Sequence, residues 1–388
     1  MDIAVIGGGI SGTIFSIVAS TNNKVTILEG NKEILKKLLL TGNGRCNYFN
    51  DDQDVSKYNS SSNLNNIINK ENIEKVKSFY DSIGLIPRIK NGYYYPYSNN
   101  AASVKEILIK ELRNNKVKLI NNYKVKSIKK VKDKFIINDD LKFDKVVIST
   151  GGKSYPSTGS DGSGYDLLKN LGLKIIDVKP ALTSLYGEGN YFNKWSGVRC
   201  EARVSLYEND KFIKSEDGEL QLTKYGLSGI CIFNLSSYIS RNINNNSEEI
   251  RINFIPFTDN PKEFLIDRNK KLKNRKMYEL LEGIINYKLF DILIKKNKYL
   301  DEYSESELNE IVNNLSSFKV KIFKTNDFNN SQVSSGGLSL DEVNENFEVK
   351  KIPGLYVIGE VLDVDGLCGG YNITFSSLSA IKAGESLD

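Results

Sequence analysis

The 388-residue chain contains no histidine, which excludes Ser-His-Asp and Cys-His nucleophiles and every His-ligated zinc, non-haem iron or haem centre. Any general acid or base is therefore Asp, Glu, Lys, Tyr or Cys, or belongs to a substrate or cofactor. The 53 basic and 48 acidic residues nearly cancel to a net +5, too little to argue for a nucleic-acid partner. Cys46, Cys200, Cys231 and Cys368 lie far apart with no CxxC, which argues against a disulfide scaffold and fits a reducing cytoplasm. No apolar run reaches the length that spans a bilayer. The first apolar segment starts at Met1-Asp2 and is broken by glycines, so no secretory leader is expected.

In chain order, residues 2–7 read as a short buried strand, 10–20 as a helix and 24–29 as a second strand. Together they make a βαβ unit of about 30 residues, the minimum for a parallel crossover. The polar, Asn/Ser-rich residues 51–72 predict a surface excursion. Helical patterns follow over 73–83 and 101–114, then strands over 117–121, 123–131, 134–138 and 144–149. From about residue 186 the texture changes, and the alternation in 202–207 and 250–255 predicts antiparallel strands. Residues 262–315 read as helical with one basic face. Within them Ser304 and Glu307 form a capping box ahead of Leu308, Ile311, Val312 and Leu315. The lysine-rich stretch 269–276 reads as a solvated helix face rather than a nucleic-acid patch. A strand at 354–358, a glycine-rich loop and a helix from about 371 to 384 close the chain. This ending resembles the opening. It predicts an α/β protein whose first domain is discontinuous, 1–185 plus 331–388, with a β-rich insertion at 186–261 and a helical insertion at 262–330.

Gly7-x-Gly9-x-x-Gly12 lies between the first strand and helix, the context that gives this pattern its meaning. Gly7 permits the turn, Gly9 admits a pyrophosphate and Gly12 lets helix and strand pack closely. The first helical amides then face the phosphates. Glu29, 22 residues after Gly7, can accept hydrogen bonds from both ribose hydroxyls and would repel a 2′-phosphate. The nucleotide is thus FAD or NAD rather than NADP. Further glycine-bearing turns at 41–47 (TGNGRCN), 144–152 (DKVVISTGG) and 354–366 (GLYVIGEVLDVDG) suit the long ribityl-phosphate arm of a flavin. The string 159–164 (GSDGSG) lacks a preceding strand and reads as a loop and helix cap. A separate pyridine-nucleotide domain is therefore not expected, and without CxxC the chain is no disulfide reductase.

Taken together, IGGGISG at the N-terminus, TGNGRCN at 41–47, TGGKSYPSTGSDGSGY at 150–165, PAL at 180–182, GELQLTKYGLSG at 218–229, SSGGLSLDEV at 334–343 and GLYVIGEVLDVDGLCGGYN at 354–372 resemble the BaiN-type, aminoacetone-oxidase-like FAD flavoproteins over nearly the whole chain. The resemblance implies a discontinuous Rossmann-like FAD-binding domain with inserted β-rich and helical subdomains. It also implies an FAD-dependent oxidoreductase, in a family where some members oxidise amines to imines and others reduce steroid-type double bonds. The implied FAD contacts are Gly7, Gly9, Gly12, Glu29, Gly42, Asn43, Gly44, Arg45, Cys46 and Asn47. Thr150, Gly151, Gly359, Glu360, Asp363, Gly370, Tyr371 and Asn372 follow, with Val125 touching adenine through its backbone. Tyr93 stands where the family often has arginine, and Lys224 and Leu173 where histidine is common. These departures leave FAD binding intact and leave the substrate and the proton-transfer residue open.

On the substrate side the catalytic candidates are Lys153, Tyr155, Lys224 and Tyr371. A lysine beside an apolar flavin face can act as a base, although solvation is the ordinary state of a surface lysine. The run Tyr93-Tyr94-Tyr95-Pro96-Tyr97 suits a wall for a flat substrate, or a loop packed on the core. The last helix, starting near Gly370-Tyr371-Asn372, would aim its amides at the negative charge of a reduced flavin. Cys46 and Cys368 are read as free thiols rather than a redox pair or a covalent flavin link. Three functional classes follow: a reductase fed by transient NADH or NADPH, an amine oxidase using oxygen, and a non-catalytic flavin-binding protein. A small-molecule substrate is expected, with no metal, nucleic-acid or membrane partner.

Overall fold

The computed structural model describes residues 1–242 and 248–387. The first strand, β1 (Asp2–Ile6), pairs in parallel with β2 (Lys24–Leu28), which the helix α1 (Ile10–Ala19) connects to it. Lys118–Ile120 extends the sheet beyond β2, while Lys145–Ile148 and then Leu355–Val357 extend it beyond β1, all in parallel. Ile3, Ala4, Val5, Val146, Val147 and Ile148 are fully buried, as expected for central parallel strands. Burial of each such aliphatic side chain contributes about 1.5–3 kcal/mol. Strand order reverses beside β1, and the crevice outside the carboxyl ends of β1 and Lys145–Ile148 is where such sheets bind ligands.

By contacts the chain divides into two compact units, Met1–Pro180 with Phe328–Asp388, and Ala181–Asp327. In the second unit, six antiparallel strands close a barrel. Their order is Leu185–Gly187, Gly226–Gly229, Lys211–Leu222, Arg199–Glu208, Glu248–Asn253 and Phe318–Thr325. The two segments expected to be antiparallel strands lie in Arg199–Glu208 and Glu248–Asn253, which pair with each other. One apolar cluster joins the barrel, including fully buried Trp195, to Leu265, Met277, Leu281 and Leu315 from the neighbouring helices.

Several local expectations need correction. The strand expected over 123–131 is only Ile128–Val131, because the Asn138 side chain takes the backbone N–H groups of Lys126 and Ser127. Val125 therefore precedes the strand. The helical reading of 262–315 resolves into Pro261–Leu272, Met277–Leu281, Phe290–Leu293 and Glu305–Ser316, the breaks falling at Lys273-Asn274, both at positive φ, and at Gly283. The excursion 51–72 is not purely superficial. Tyr58–Asn59 pairs with Asp365–Gly366, and Leu64 and Ile68 are buried.

Candidate cofactor and active site

At the carboxyl end of β1 the three fingerprint glycines divide their work. A Cβ on Gly12 would lie 2.1 Å from the Gly7 carbonyl oxygen and 2.5 Å from Ser149 Oγ, so close packing of α1 admits no side chain there. A Cβ on Gly9 would meet nothing within 4 Å, so the space over it is open. Gly9 is also the N-cap of α1, with no side-chain cap and no acidic residue in the first turn. Among the described residues no side chain caps the first amides of α1, which leaves them for water or an anion.

The Glu29 carboxylate is buried and already fixed. It accepts from the Gly8 N–H at 2.8 Å, the Asn31 N–H at 2.7 Å and Asn31 Nδ2 at 2.8 Å. Three of about four acceptor directions are taken, which leaves one for a ribose hydroxyl rather than the pair expected. Asn31 is the competitor that the fingerprint does not reveal. Tyr123 N–H donates to the Glu29 carbonyl at 2.8 Å, which brings the 122–125 segment alongside. The Val125 side chain is buried, yet its own N–H and C=O engage no partner among the described residues.

The loop 41–47 is a run of left-handed residues, Gly42, Asn43, Gly44 and Cys46. It is closed by Cys46 N–H to Thr41 O at 3.0 Å and by Arg45 Nε to Gly42 O at 3.0 Å. Arg45 is exposed, its guanidinium 5.4 Å from the Tyr95 ring centre. The Asn47 amide nitrogen faces the Phe49 and Tyr94 carbonyls at 3.0 and 3.1 Å. Burial pushes the Cys46 thiol up to about 12, so it stays protonated, and neither Cys46 nor Cys368 forms a disulfide. On the other side of β1, Thr150 Oγ1 is buried without a hydrogen bond, just before left-handed Gly151.

Three acidic or amide side chains of the C-terminal loops are committed to the protein itself. Glu360 pairs with Lys37, a residue that motif reading missed, at 2.7 Å. Asp363 accepts the Ser61 N–H at 2.9 Å and also the Ser61 hydroxyl. Asn372 clasps Gly366, accepting its N–H at 2.9 Å and donating to its carbonyl at 2.8 Å. These contacts shape the loop. Gly359 donates its N–H to Ser379 Oγ at 3.0 Å. The last helix, Tyr371–Glu385, starts at left-handed Gly370 with neither a side-chain cap nor a first-turn acid. Tyr371 is buried edge-on against Tyr58 at 5.7 Å, and the Tyr93 ring covers Gly369, where a Cβ would lie 2.4 Å from it.

Of the remaining catalytic candidates, Lys153 is exposed with its ammonium 4.9 Å from the Phe328 ring centre. Tyr155 is half-buried at φ +54, its hydroxyl without a partner among the described residues. Lys224 belongs to the second unit, where it is exposed. Its neighbour Tyr225 stacks on Tyr186 at 4.7 Å.

A dinucleotide fits these residues. It would answer the uncapped α1 under open space, the vacant backbone groups of Val125 and the orphaned Thr150 hydroxyl. The uncapped last helix adds a second set of amides for the flavin half.

The sequence profile of a family described as HI0933-like protein Rossmann domain matches residues 1–386. The chain is 34% identical over 407 residues to the 3-dehydro-bile acid delta(4,6)-reductase of Clostridium scindens, covering 99% of this chain and 98% of that protein. It is 24% identical over 410 residues to the ribosomal RNA dihydrouridine synthase of Escherichia coli, covering 100% and 98%. A solved 3-ketosteroid-delta4-(5alpha)-dehydrogenase from Rhodococcus jostii shares the fold with a TM-score of 0.50 at 13% identity, over 100% of this chain and 96% of that one. No described helix is long and apolar enough to cross a membrane.

Proposed function

We propose, from the premise that the chain belongs to the HI0933-like protein Rossmann-domain family and is an FAD-dependent oxidoreductase, that it reduces a carbon–carbon double bond conjugated to a carbonyl, with NADH or NADPH as electron donor. The observation that carries this reading is the agreement between two full-length relatives. One is named for reducing double bonds of a keto bile acid and the other for making dihydrouridine. Both products arise by saturating a double bond next to a carbonyl. The missing second dinucleotide fingerprint supports a nicotinamide that visits the substrate cleft and leaves.

FAD, once reduced by the nicotinamide, would supply the hydride for such a reduction. The chain's own residues would bind and orient the partners and deliver the one proton that completes it. The α1 amides beside Gly9 would hold the pyrophosphate, Glu29 would take a ribose hydroxyl, and the Val125 backbone would bind the adenine. The amides of the last helix stabilise negative charge, as preorganised donors do in an oxyanion hole. In a chain without histidine, phenols and ammoniums of the first unit are the candidates for the proton on the substrate carbon, Tyr155 foremost, with Lys153 and Tyr371 behind it.

Anaerobic mixing of the yellow holoenzyme with NADH or NADPH tests the reading. Rapid bleaching is expected, followed by return of colour when a 4-en-3-one steroid or 2-cyclohexenone is added. Persistence of colour with both nicotinamides, together with bleaching by a primary amine, would replace the reductase by an oxidase.

A further inference from the structure

Lys37 and Glu360 are 323 positions apart, and Lys37 Nζ donates to the two Glu360 carboxylate oxygens at 2.9 and 2.7 Å. Both side chains are largely buried, 22% and 15% exposed. Glu360 Oε1 also accepts the Ser334 N–H at 3.0 Å. A Cβ on Gly152 would lie 2.8 Å from that same oxygen. The turn Gly359–Val361, which carries this carboxylate, is thereby bonded to the turn Lys37–Leu40 that leads into loop 41–47 and to the strand Val333–Leu338, and it lies close to the Thr150-Gly151-Gly152 turn. Four segments thus meet at one ion pair. An ammonium has three N–H bonds, and Lys37 has no partner among the described residues besides Glu360. One N–H remains unassigned, beside loops that carry most of the proposed FAD contacts.

We propose that Lys37 is a positioning residue for FAD. Its ion pair with Glu360 holds the four segments in register, and its remaining N–H is presented to an oxygen of the cofactor. The inference goes beyond the reductase reading, because it needs FAD alone and holds for a reductase or an oxidase alike. Two roles are combined in it, and they separate experimentally. A buried carboxylate stripped of its lysine is an uncompensated charge, whereas removing both partners leaves none. The double substitution thus relieves the destabilising charge, and it restores neither the ion pair nor the contact with FAD.

The test compares Lys37→Met, Lys37→Arg and the double variant Lys37→Met/Glu360→Gln with the wild-type holoenzyme. Release of FAD on dilution is followed by flavin fluorescence, and thermal unfolding is followed in parallel. Lys37→Met is expected to unfold at lower temperature and to release FAD about tenfold faster, the equivalent of about 1.4 kcal/mol in binding at an unchanged association rate. Lys37→Arg is expected to return most of the retention. The double variant should recover the unfolding temperature and still release FAD faster than wild type. Wild-type release by Lys37→Met, or recovery of both quantities in the double variant, overturns the proposal and reduces the pair to a brace. Should Lys37→Met fail to fold, the double variant decides alone.

Discussion

At the scale of single residues, Tyr155 carries a backbone cost that Leu35, Leu182 and Phe347 share, and among these it alone has a phenol. A bulky side chain at φ +54 is held there at about 1–3 kcal/mol, and such outliers gather where function demands them. Its unpartnered phenol makes it the proposed proton donor. Tyr155→Phe is expected to keep the yellow colour and the rate of bleaching by NAD(P)H, and to slow enone-dependent recovery of colour about 100-fold. Equal recovery rates in stopped flow would return the role to a lysine. The fingerprint gives a second residue-scale contrast. Gly12→Ala drives a methyl into the Gly7 carbonyl, so loss of folded protein is expected. Gly9→Ala clashes with nothing in the chain and should fold with an unchanged unfolding temperature as apoprotein. It should nevertheless purify with FAD content reduced about tenfold, since the methyl occupies the space read as the phosphate site. Retention of full FAD by Gly9→Ala would move the pyrophosphate elsewhere. These glycines were legible because a turn of six residues carries its whole geometry in local sequence. The Lys37–Glu360 pair and the Asn31 contact to Glu29 were not, since nothing in a linear motif says which charged neighbours the fold brings together.

At the scale of elements, the helix Glu305–Ser316 shows what local sequence can specify in full. Ser304 accepts from the Glu307 N–H at 3.2 Å, and Glu307 reaches back to the Ser304 N–H at 3.0 Å, completing the expected capping box. The Ser304 N–H and the Lys298 ammonium hold the Glu307 carboxyl down to about 2, from an ordinary value of 4.5. A carboxylate depressed on folding contributes stability that is present above its unfolded pKa and lost as pH falls through its folded one. Glu307→Gln should therefore flatten the pH dependence of urea unfolding between about 4.5 and 2, modestly and less so at high salt. Ser304→Ala should cost about 1 kcal/mol in the same measurement. A slope identical to wild type would show that folding does not depress the Glu307 carboxyl. Elements whose ends depend on distant partners were harder to read. The 123–131 segment loses its first half as a strand to the side chain of Asn138, and the 262–315 segment breaks at Lys273-Asn274 and at Gly283, all at positive φ.

At the scale of the whole molecule, the near-cancellation of charge becomes a set of ion pairs across the surface of the second unit. Lys295 meets Glu310 at 2.6 Å, Lys298 meets Glu307 at 3.0 Å and Arg275 meets Glu279 at 2.9 Å. The parallel sheet was legible because β1, α1 and β2 follow each other in one crossover, and such crossovers admit one handedness. Closure of the barrel was not. It joins Leu185–Gly187 to Phe318–Thr325 across more than a hundred residues, and alternation within a strand does not name its neighbour. Closing removes the exposed edges that six short strands would otherwise present. The missing histidine acts at this scale too. Any rate transition near pH 6.5 must come from substrate, flavin or a displaced Lys, Cys, Asp, Glu or Tyr, never from imidazole.

The polar stretch after loop 41–47 lies across the final cofactor-associated loop like a buckle. Leu367 N–H bonds the Lys57 carbonyl at 2.9 Å, Tyr58–Asn59 pairs with Asp365–Gly366, and Ser61 holds the fully buried Asp363. A loop strapped in this way keeps its backbone groups in place before any ligand arrives, and loosening the strap by local unfolding would free them together rather than one by one.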